Sequence, residues 1–300
     1  MERVLNIDCA AIEEARKTNR GNRLLLELPK SALVFFVMIC ISGILSDLSQ
    51  MVVLGDKLQD EYADVFSLYG QILSIGITIF YCTVLERRSI QSMGFRRNAG
   101  KLYCTGVLLG AVVFSLAVLV CVIGGGVYFD RVSPNANVLL QLLLLGGFAV
   151  QGMSEEVICR GYLLVSLSRK NSVWVACLVN SLLFGAVHIF NDGFSLLAFL
   201  NLSLFGIFES LLFLKTGSIW IVGAVHSIWN YMEGCVYGLS VSGESMLNTF
   251  LVFEQTDKKT MNGGAFGIEG GIAVTIVLLA AIVFLLFTMF YRRKNKAAFT

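Results

Sequence analysis

The chain has 300 residues, of which 56% are hydrophobic and only 15% charged, and its formal net charge is +2. Soluble globular proteins carry about 25% charged residues. Here the deficit comes with long uncharged runs, which excludes a soluble single-core domain, a disordered chain and a small disulfide-stapled secreted module. Nucleic acid is disfavoured as a partner because the net charge is small and the basic residues lie in short stretches between apolar segments.

Eight apolar segments follow one another along the chain, and helices of this length cross a hydrocarbon layer of roughly 30 Å. The predicted spans are approximately 31–54, 64–85, 102–126, 137–158 or longer, 173–190, 193–214, 219–240 and 270–291. The sequence therefore predicts an all-α fold, a polytopic transmembrane helix bundle of about eight spans.

Basic residues concentrate in every second connection between these spans. They are Arg3, Arg16, Lys17, Arg20, Arg23 and Lys30 before the first span, Arg87, Arg88, Arg96, Arg97 and Lys101 after the second, Arg169 and Lys170 after the fourth, Lys215 after the sixth, and Arg292, Arg293, Lys294 and Lys296 at the end. The other connections are acidic or nearly neutral. Because cytoplasmic loops carry an excess of Lys and Arg, we expect a multi-pass cell-membrane protein with both termini in the cytoplasm.

The glycines and cysteines are predicted to have structural roles. Gly106 with Gly110, and Gly146 with Gly147, predict close approaches between helices, whereas the glycine-rich segment 263–271 is typical of a flexible external loop. The eight cysteines include no C-x-x-C pair. They are predicted to be small apolar packing residues.

The most informative residues are ionisable side chains inside predicted spans, because a charge near the bilayer centre costs about 2.5–3.5 kcal/mol and usually has a partner and a use. Glu155, Glu156 and Arg160 form the first such group. Glu156 and Arg160 share one helix face, so Arg160 is expected to hold Glu156 by a bidentate contact. Glu155 then points toward a cavity and can take a proton from water. The alternative is an ion-paired helix end at the cytoplasmic surface.

Both histidines of the chain also lie in predicted spans, each four residues from a second side chain on the same helix face. Phe184 pairs with His188, and His226 pairs with Asn230. Two neutral hydrogen-bonding side chains aimed together can bind an oxyanion. Taken separately, His188 is typical of a hydrogen-bonded packing residue, and the second pair is typical of an interhelical contact worth about 0.6–2 kcal/mol.

The positions of these groups along their helices are compatible with one shared pocket. If the fourth helix continues through Leu167, the distances from the cytoplasmic ends of the helices are about 18 Å for Glu155, about 21 Å for His188 and about 12 Å for His226, at 1.5 Å per residue. If that helix stops near Cys159, the three depths disagree. We therefore expect the three side chains to meet in a water-filled pocket in the cytoplasmic half of the bundle.

The ordered set Glu155-Glu156-x-x-x-Arg160, Phe184-x-x-x-His188 and His226-x-x-x-Asn230 resembles the three-motif signature of the CAAX-protease and bacteriocin-processing (CPBP) family. That family includes Abi-like proteins and the type II CAAX prenyl endopeptidases. The stretches 180–188 and 214–220 are similar as well, and the resemblance covers about residues 137–236.

The resemblance implies an intramembrane glutamic endopeptidase, a hydrolase that cleaves a peptide bond at membrane depth. The implied roles are water activation by Glu155 with help from His188, oxyanion binding by His226 and Asn230, and support by Glu156 and Arg160. From the spacing alone, His188 and His226 can exchange roles.

A metal ion is the open point of the implied mechanism. Glu155, His188 and His226 could supply three zinc ligands with an open fourth position, but the zincin pattern H-E-x-x-H is absent. We expect no cofactor and no bound zinc.

The expected partners are membrane lipid and a peptide or protein substrate, with lipid modification of that substrate left open. CAAX-type protein processing, bacteriocin maturation and self-immunity are all compatible with the resemblance.

Two functions without hydrolysis compete with the endopeptidase. One is a non-catalytic membrane immunity or binding protein that uses the polar cluster for packing. The other is a proton-coupled transporter, against which we find no inverted repeat and no proline-broken helix pair.

The predicted organisation has six parts. They are a cytoplasmic N-terminal tail (1–30), N-terminal transmembrane helices (31–136), a CAAX-protease-like catalytic helical core (137–240), an extracytoplasmic loop (241–269), a C-terminal transmembrane helix (270–291) and a cytoplasmic tail (292–300).

Overall fold

The computed structural model describes residues 7–18, 21, 23–52, 56–134, 136–246 and 248–297, without the side chains of 49–52, 56–61 and 292–297. The helices are α1 (Ala10–Arg16), α2 (Leu24–Val52), α3 (Asp56–Gly70), α4 (Ile72–Phe80), α5 (Ala99–Ile123), α6 (Val138–Glu156), α7 (Val165–Ser168), α8 (Val173–Ala186), α9 (Leu196–Thr216), α10 (Ile219–Tyr231), α11 (Lys259–Asn262) and α12 (Ile272–Ala297). The strands are β1 (Val127–Val132) and β2 (Leu251–Gln255). Wider π-helical turns extend three of the helices, at Tyr81–Leu85, Val157–Leu164 and Met232–Val236.

The predicted fold class, an all-α transmembrane helix bundle, is confirmed. Six helical stretches of the described chain are long and apolar enough to cross a membrane. They are Leu24–Leu48, Tyr62–Leu85, Ala99–Ile123, Val138–Ser168, Leu196–Thr216 and Ile272–Tyr291. The shorter apolar helix α8 and helix α10 with its π-helical extension complete the bundle.

The fifth predicted span ends earlier than expected, so His188 lies in a turn and not in a helix. Helix α8 stops at Ala186, and the chain turns through Gly193, whose φ of +71° favours glycine. Ser195 then caps α9, because its side-chain oxygen accepts a hydrogen bond from the Ala198 backbone at 3.1 Å.

The fourth span continues past Leu167, as the prediction of a shared pocket required. Helix α6, the π-helical segment Val157–Leu164 and α7 form one stretch to Ser168. Every residue from Val157 to Ser168 is buried. This stretch is therefore the central pillar of the bundle.

Two segments outside the predicted spans have more structure than expected. Strands β1 and β2 pair antiparallel, with Val127 opposite Gln255, although no strand was predicted. The glycine-rich segment, expected to be a flexible loop, contains two 3-10 turns. It is held by Asn201, whose Nδ2 donates to the carbonyls of Glu269 at 2.7 Å and Gly271 at 2.8 Å.

The predicted close approaches at glycine are confirmed. A Cβ added to Gly106 would overlap the Ile221 carbonyl of α10, and one added to Gly110 would lie 2.5 Å from Ile228 Cγ2. On the other side of α10, a Cβ on Gly152 of α6 would lie 2.5 Å from the Ser227 nitrogen. Helix α10 is therefore in backbone contact with both α5 and α6.

The end of the bundle that carries the basic connections is closed by a buried ion network. The Nε of Arg88 donates to Glu86 at 2.7 Å, and Nη2 of Arg169 donates to Glu86 at 2.7 Å. Helix α1 packs beneath this network, within the expected N-terminal tail, and Arg16 donates to the Ser168 carbonyl at 3.1 Å.

The surroundings of Glu86 determine its ionisation. Burial raises the pKa of Glu86, but the guanidinium groups of Arg88 and Arg169 outweigh burial and hold the pKa below its ordinary value of 4.5. A carboxyl group whose pKa is lower in the folded state stabilises the fold above its unfolded pKa. That contribution is lost as the pH falls through the folded pKa.

We predict that Gly106→Ala lowers the free energy of unfolding by about 1–3 kcal/mol, because the added methyl group collides with the α10 backbone. Unfolding by SDS titration of the purified protein in mixed micelles measures the effect. Gly76→Ala is the matched control, since a Cβ at Gly76 meets nothing within 4 Å. Equal loss of stability in the two variants would contradict the close approach.

We predict that Glu86→Gln lowers the free energy of unfolding at pH 7 by about 3–5 kcal/mol, because Arg88 and Arg169 lose their buried counter-charge. The difference between wild type and variant should be constant near neutral pH and shrink as the pH falls below 4.5. SDS titrations at a series of pH values test this. A difference that does not change with pH would show that ionisation of Glu86 is irrelevant to stability.

Candidate active site

The three sequence motifs converge on one cavity of about 390 Å³ inside the bundle. The four predicted catalytic residues, Glu155, His188, His226 and Asn230, all line it. Further lining residues come from α2, α3 and α9, from the segment 241–246 and from Glu269. The structure thus brings together side chains that are separated by up to 75 positions in the sequence.

The two adjacent acids, Glu155 and Glu156, differ in burial and in contacts. The Glu156 side chain is fully buried, and its Oε1 accepts a hydrogen bond from Arg160 Nη1 at 2.6 Å. The Glu155 side chain is 21% exposed and lines the cavity. This is the predicted division between a held anion and an accessible one. The contact of Arg160 is single rather than bidentate, because its Nη2 donates to the Gly206 carbonyl at 3.0 Å.

His226 lies between the two acids. Its Nδ1 is 2.8 Å from Glu156 Oε1, and its Nε2 is 3.7 Å from Glu155 Oε2. An ionised carboxylate only accepts hydrogen bonds, so Nδ1 of His226 carries the proton of this contact. The close packing of α6 and α10 at Gly152 brings the imidazole to this position.

His188 is oriented by the last turn of α8, which precedes it. Its Nδ1 is 2.9 Å from the Phe184 carbonyl, and a carbonyl oxygen only accepts, so Nδ1 donates and Nε2 is unprotonated in the neutral ring. The Phe184 ring also packs edge-on against the rings of His188, at 5.2 Å, and His226, at 5.8 Å. Arg160 covers the same phenyl ring, with its guanidinium carbon 5.2 Å from the ring centroid.

A short hydrogen-bonded relay links Asn230 to Glu155. Asn230 Nδ2 donates to Gln151 Oε1 at 3.0 Å, and Gln151 Nε2 donates to Glu155 Oε1 at 2.5 Å. Gln151 is not among the site residues predicted from the sequence. Its position one helical turn before Glu155 was the available signal.

Two further acids near the site were missed. Glu209 of α9 is fully buried within interaction distance of Glu156 and Arg160, and neither of its carboxyl oxygens has a hydrogen-bond partner among the described residues. Glu269 lines the cavity and accepts from Trp229 at 2.9 Å and from Ser242 at 2.5 Å. Glu209 met the criterion of an ionisable residue inside a span, whereas Glu269 lies in the segment that was expected to be flexible.

The cavity lies at the end of the bundle opposite the basic connections. Asn191, Ser242 and Glu244 line it, and they belong to connections that the charge pattern assigns to the extracytoplasmic side. The pocket was expected in the cytoplasmic half of the bundle. Relative to the predicted orientation it lies in the extracytoplasmic half, so this expectation is wrong. Glu155 lies near the middle of its long helix, so its depth alone did not reveal which end of the pocket is open.

No group of three or more His, Cys, Asp and Glu side chains in the described chain is arranged to hold a metal ion. Of the three residues considered as zinc ligands, His226 uses Nδ1 to contact Glu156 and His188 uses Nδ1 to contact the Phe184 carbonyl. Each imidazole has only Nε2 left for a ligand. Independence from zinc stays a prediction.

The fold and the cavity define a polytopic membrane protein with a carboxylate–histidine centre enclosed by its helices. Residues 136–232, about a third of the chain, match the family described as Type II CAAX prenyl endopeptidase Rce1-like. This match confirms the resemblance carried by the three motifs. The comparison with curated proteins gave no match. At the level of the family, the match indicates a membrane protease of the CAAX type that acts on a peptide or protein.

We predict that Arg160→Met lowers the free energy of unfolding by about 3–5 kcal/mol, because it leaves Glu156 buried without its cation. Arg160→Lys should restore part of this loss, since it keeps the charge but not the planar guanidinium. Arg131→Met is the control, because Arg131 is 60% exposed in its pair with Asp130 and should contribute about 0–1 kcal/mol. Similar SDS-unfolding curves for Arg160→Met and Arg131→Met would refute the role of Arg160.

Proposed function

We propose that the protein is an intramembrane endopeptidase in which Glu155 activates the hydrolytic water. One observation carries the proposal: of two adjacent acids, Glu156 is enclosed and held by Arg160, whereas Glu155 is 21% exposed and lines the cavity. Glu155 is therefore the carboxylate that water can reach. A positioned carboxylate of this kind serves as a general base.

In the proposed reaction, Glu155 accepts a proton from water while the water oxygen bonds to the carbonyl carbon of the scissile peptide. The negative charge of the tetrahedral intermediate lies on the former carbonyl oxygen. When the intermediate collapses, the C–N bond breaks and the departing nitrogen takes the proton from Glu155. The carboxylate is regenerated, and each turnover consumes one water molecule.

The contacts of the two imidazoles support different roles for them. His188 in its neutral form has an unprotonated Nε2, because Nδ1 donates to a carbonyl, which suits assistance in proton transfer from water. His226 already donates from Nδ1 to Glu156, so its Nε2 donates to an oxyanion only when the ring is doubly protonated. Asn230 Nδ2 is a second donor at the cavity wall, and a pair of such donors stabilises the intermediate.

The proposed substrate is a peptide or protein that binds in extended form. CAAX-type processing and bacteriocin maturation or self-immunity are the biological settings consistent with the family match. The competing proposal is a non-catalytic membrane immunity or binding protein, in which the same buried contacts hold the helices together.

We predict that Glu155→Ala and Glu155→Gln each reduce peptide hydrolysis by about 10²–10⁴-fold, because both remove the general base. The assay uses purified protein in detergent micelles and a fluorogenic peptide library, with and without chelator, which should have no effect. Glu254→Gln, an exposed acid on β2, is the control and should retain wild-type activity.

Three outcomes would count against this proposal. Normal hydrolysis by Glu155→Ala would remove Glu155 from the reaction. Loss of activity with chelator, restored by zinc, would replace the metal-independent mechanism. Full biological function of Glu155→Gln without any hydrolysis would favour the non-catalytic binding protein.

A further inference from the structure

The cavity has one closed end and one open end. C-terminal to Glu155, every residue from Val157 to Ser168 is buried, over about 18 Å of helix. Beside this stretch lies the buried ion network around Glu86, in which Arg88 donates to the Gly161 carbonyl and Glu86 accepts from Ser166. At the other end, the cavity is lined by the connection 241–246, where Glu244 is exposed. Among the described residues, the open end of the cavity therefore lies on the side of this connection, and a substrate that comes from solvent enters there.

The distribution of basic residues identifies which side this is. In the described chain, the connections and ends at the closed side carry Arg16, Lys17, Arg23, Lys30, Arg87, Arg88, Arg96, Arg97, Lys101, Arg169, Lys170 and Lys215. The connections at the open side carry Lys57, Arg131, Lys258 and Lys259. Because Lys and Arg mark the cytoplasmic face, the open end faces the outside of the cytoplasm.

The open end also has a definite charge. Asp47, Asp64 and Glu244 line the cavity there. None of the ion pairs in the described part of the chain involves these three acids. The entrance to the proposed catalytic groups is therefore negative and uncompensated by the described residues, and it would attract a cationic segment and repel an acidic one.

We infer that the cavity receives its substrate from the extracytoplasmic side, and that this substrate is an extended peptide segment with basic residues next to the bond that is cut. The inference rests on the proposed endopeptidase function and specifies its substrate class. The substrate is then an exported peptide or the external segment of a membrane protein.

The side of entry is tested by labelling intact cells with a membrane-impermeant maleimide. Ser242→Cys places a thiol at the cavity entrance, and Arg97→Cys is the matched control at the basic end. Labelling above the background of the parent protein is expected for Ser242→Cys in intact cells, and for Arg97→Cys only after permeabilisation. The reverse pattern would overturn the inference.

The substrate class is tested with membrane-tethered peptides that differ only in carrying Lys, Ser or Glu beside the scissile bond. For the wild type, kcat/KM should be on the order of tenfold higher with Lys than with Glu, mainly through KM. The double variant Asp64→Asn with Glu244→Gln should lose most of this preference. Glu254→Gln, an acid on the same side but outside the cavity lining, should keep it. Equal kcat/KM for the three peptides would refute the charge preference.

Binding separates this inference from the function on which it rests. The affinity of the Glu155→Ala protein for fluorescent forms of the same three peptides is measured by anisotropy. Preferential binding of the Lys peptide without any cleavage by wild type would overturn the endopeptidase and support the cationic ligand. Cleavage by wild type without charge preference would overturn the cationic substrate and leave the endopeptidase standing.

Discussion

The carboxylate of Glu156 is the interaction on which the centre of the molecule depends. One of its oxygens contacts both Arg160, at 2.6 Å, and His226, at 2.8 Å. This oxygen therefore connects helix α10 with the long helical stretch that begins with α6. A buried charge needs a partner in a medium that cannot solvate it. The acid, the guanidinium and the imidazole are therefore only stable as a set, and removing one leaves the others uncompensated.

The rest of the site follows from that contact. Once His226 is fixed by Glu156, its second ring nitrogen faces Glu155. One helical turn later, Asn230 reaches Gln151, which holds the other oxygen of Glu155. The side chain that we propose as the base is thus positioned by three residues, while its own carboxylate is left in contact with the cavity. Positioning of this kind is what distinguishes a reactive carboxylate from a structural one.

The sequence predicted these contacts where they depend on spacing along one helix. The pairs Glu156–Arg160 and Phe184–His188 are four residues apart, and α-helical spacing predicts that such pairs lie close together. Both contacts form, although Arg160 lies in the π-helical segment and His188 in the turn after α8. Contacts set by tertiary structure could not be predicted in this way. The apolar residues Ile189 and Phe190 continued the hydropathy of the fifth span, which hid the turn that contains His188.

Features formed by distant segments were missed for the same reason. Strands β1 and β2 are separated by more than a hundred residues, and each is too short to be recognised alone. The open end of the cavity depends on Glu244 and Glu269, which come from a segment that composition describes only as a loop. Glu155 lies near the middle of its helix, so its position along the helix does not show which end of the cavity admits solvent.

The phenyl ring of Phe184 contacts His188, His226 and Arg160 simultaneously. Energetic effects at these three positions are therefore expected to be non-additive, since residues that share a partner couple by about 0.5–3 kcal/mol. Single alanine substitutions at either histidine will overstate the contribution of the ring removed, because each also releases the aromatic platform beneath its neighbour. Thermodynamic cycles that include Phe184 are needed to assign separate contributions to the two imidazoles.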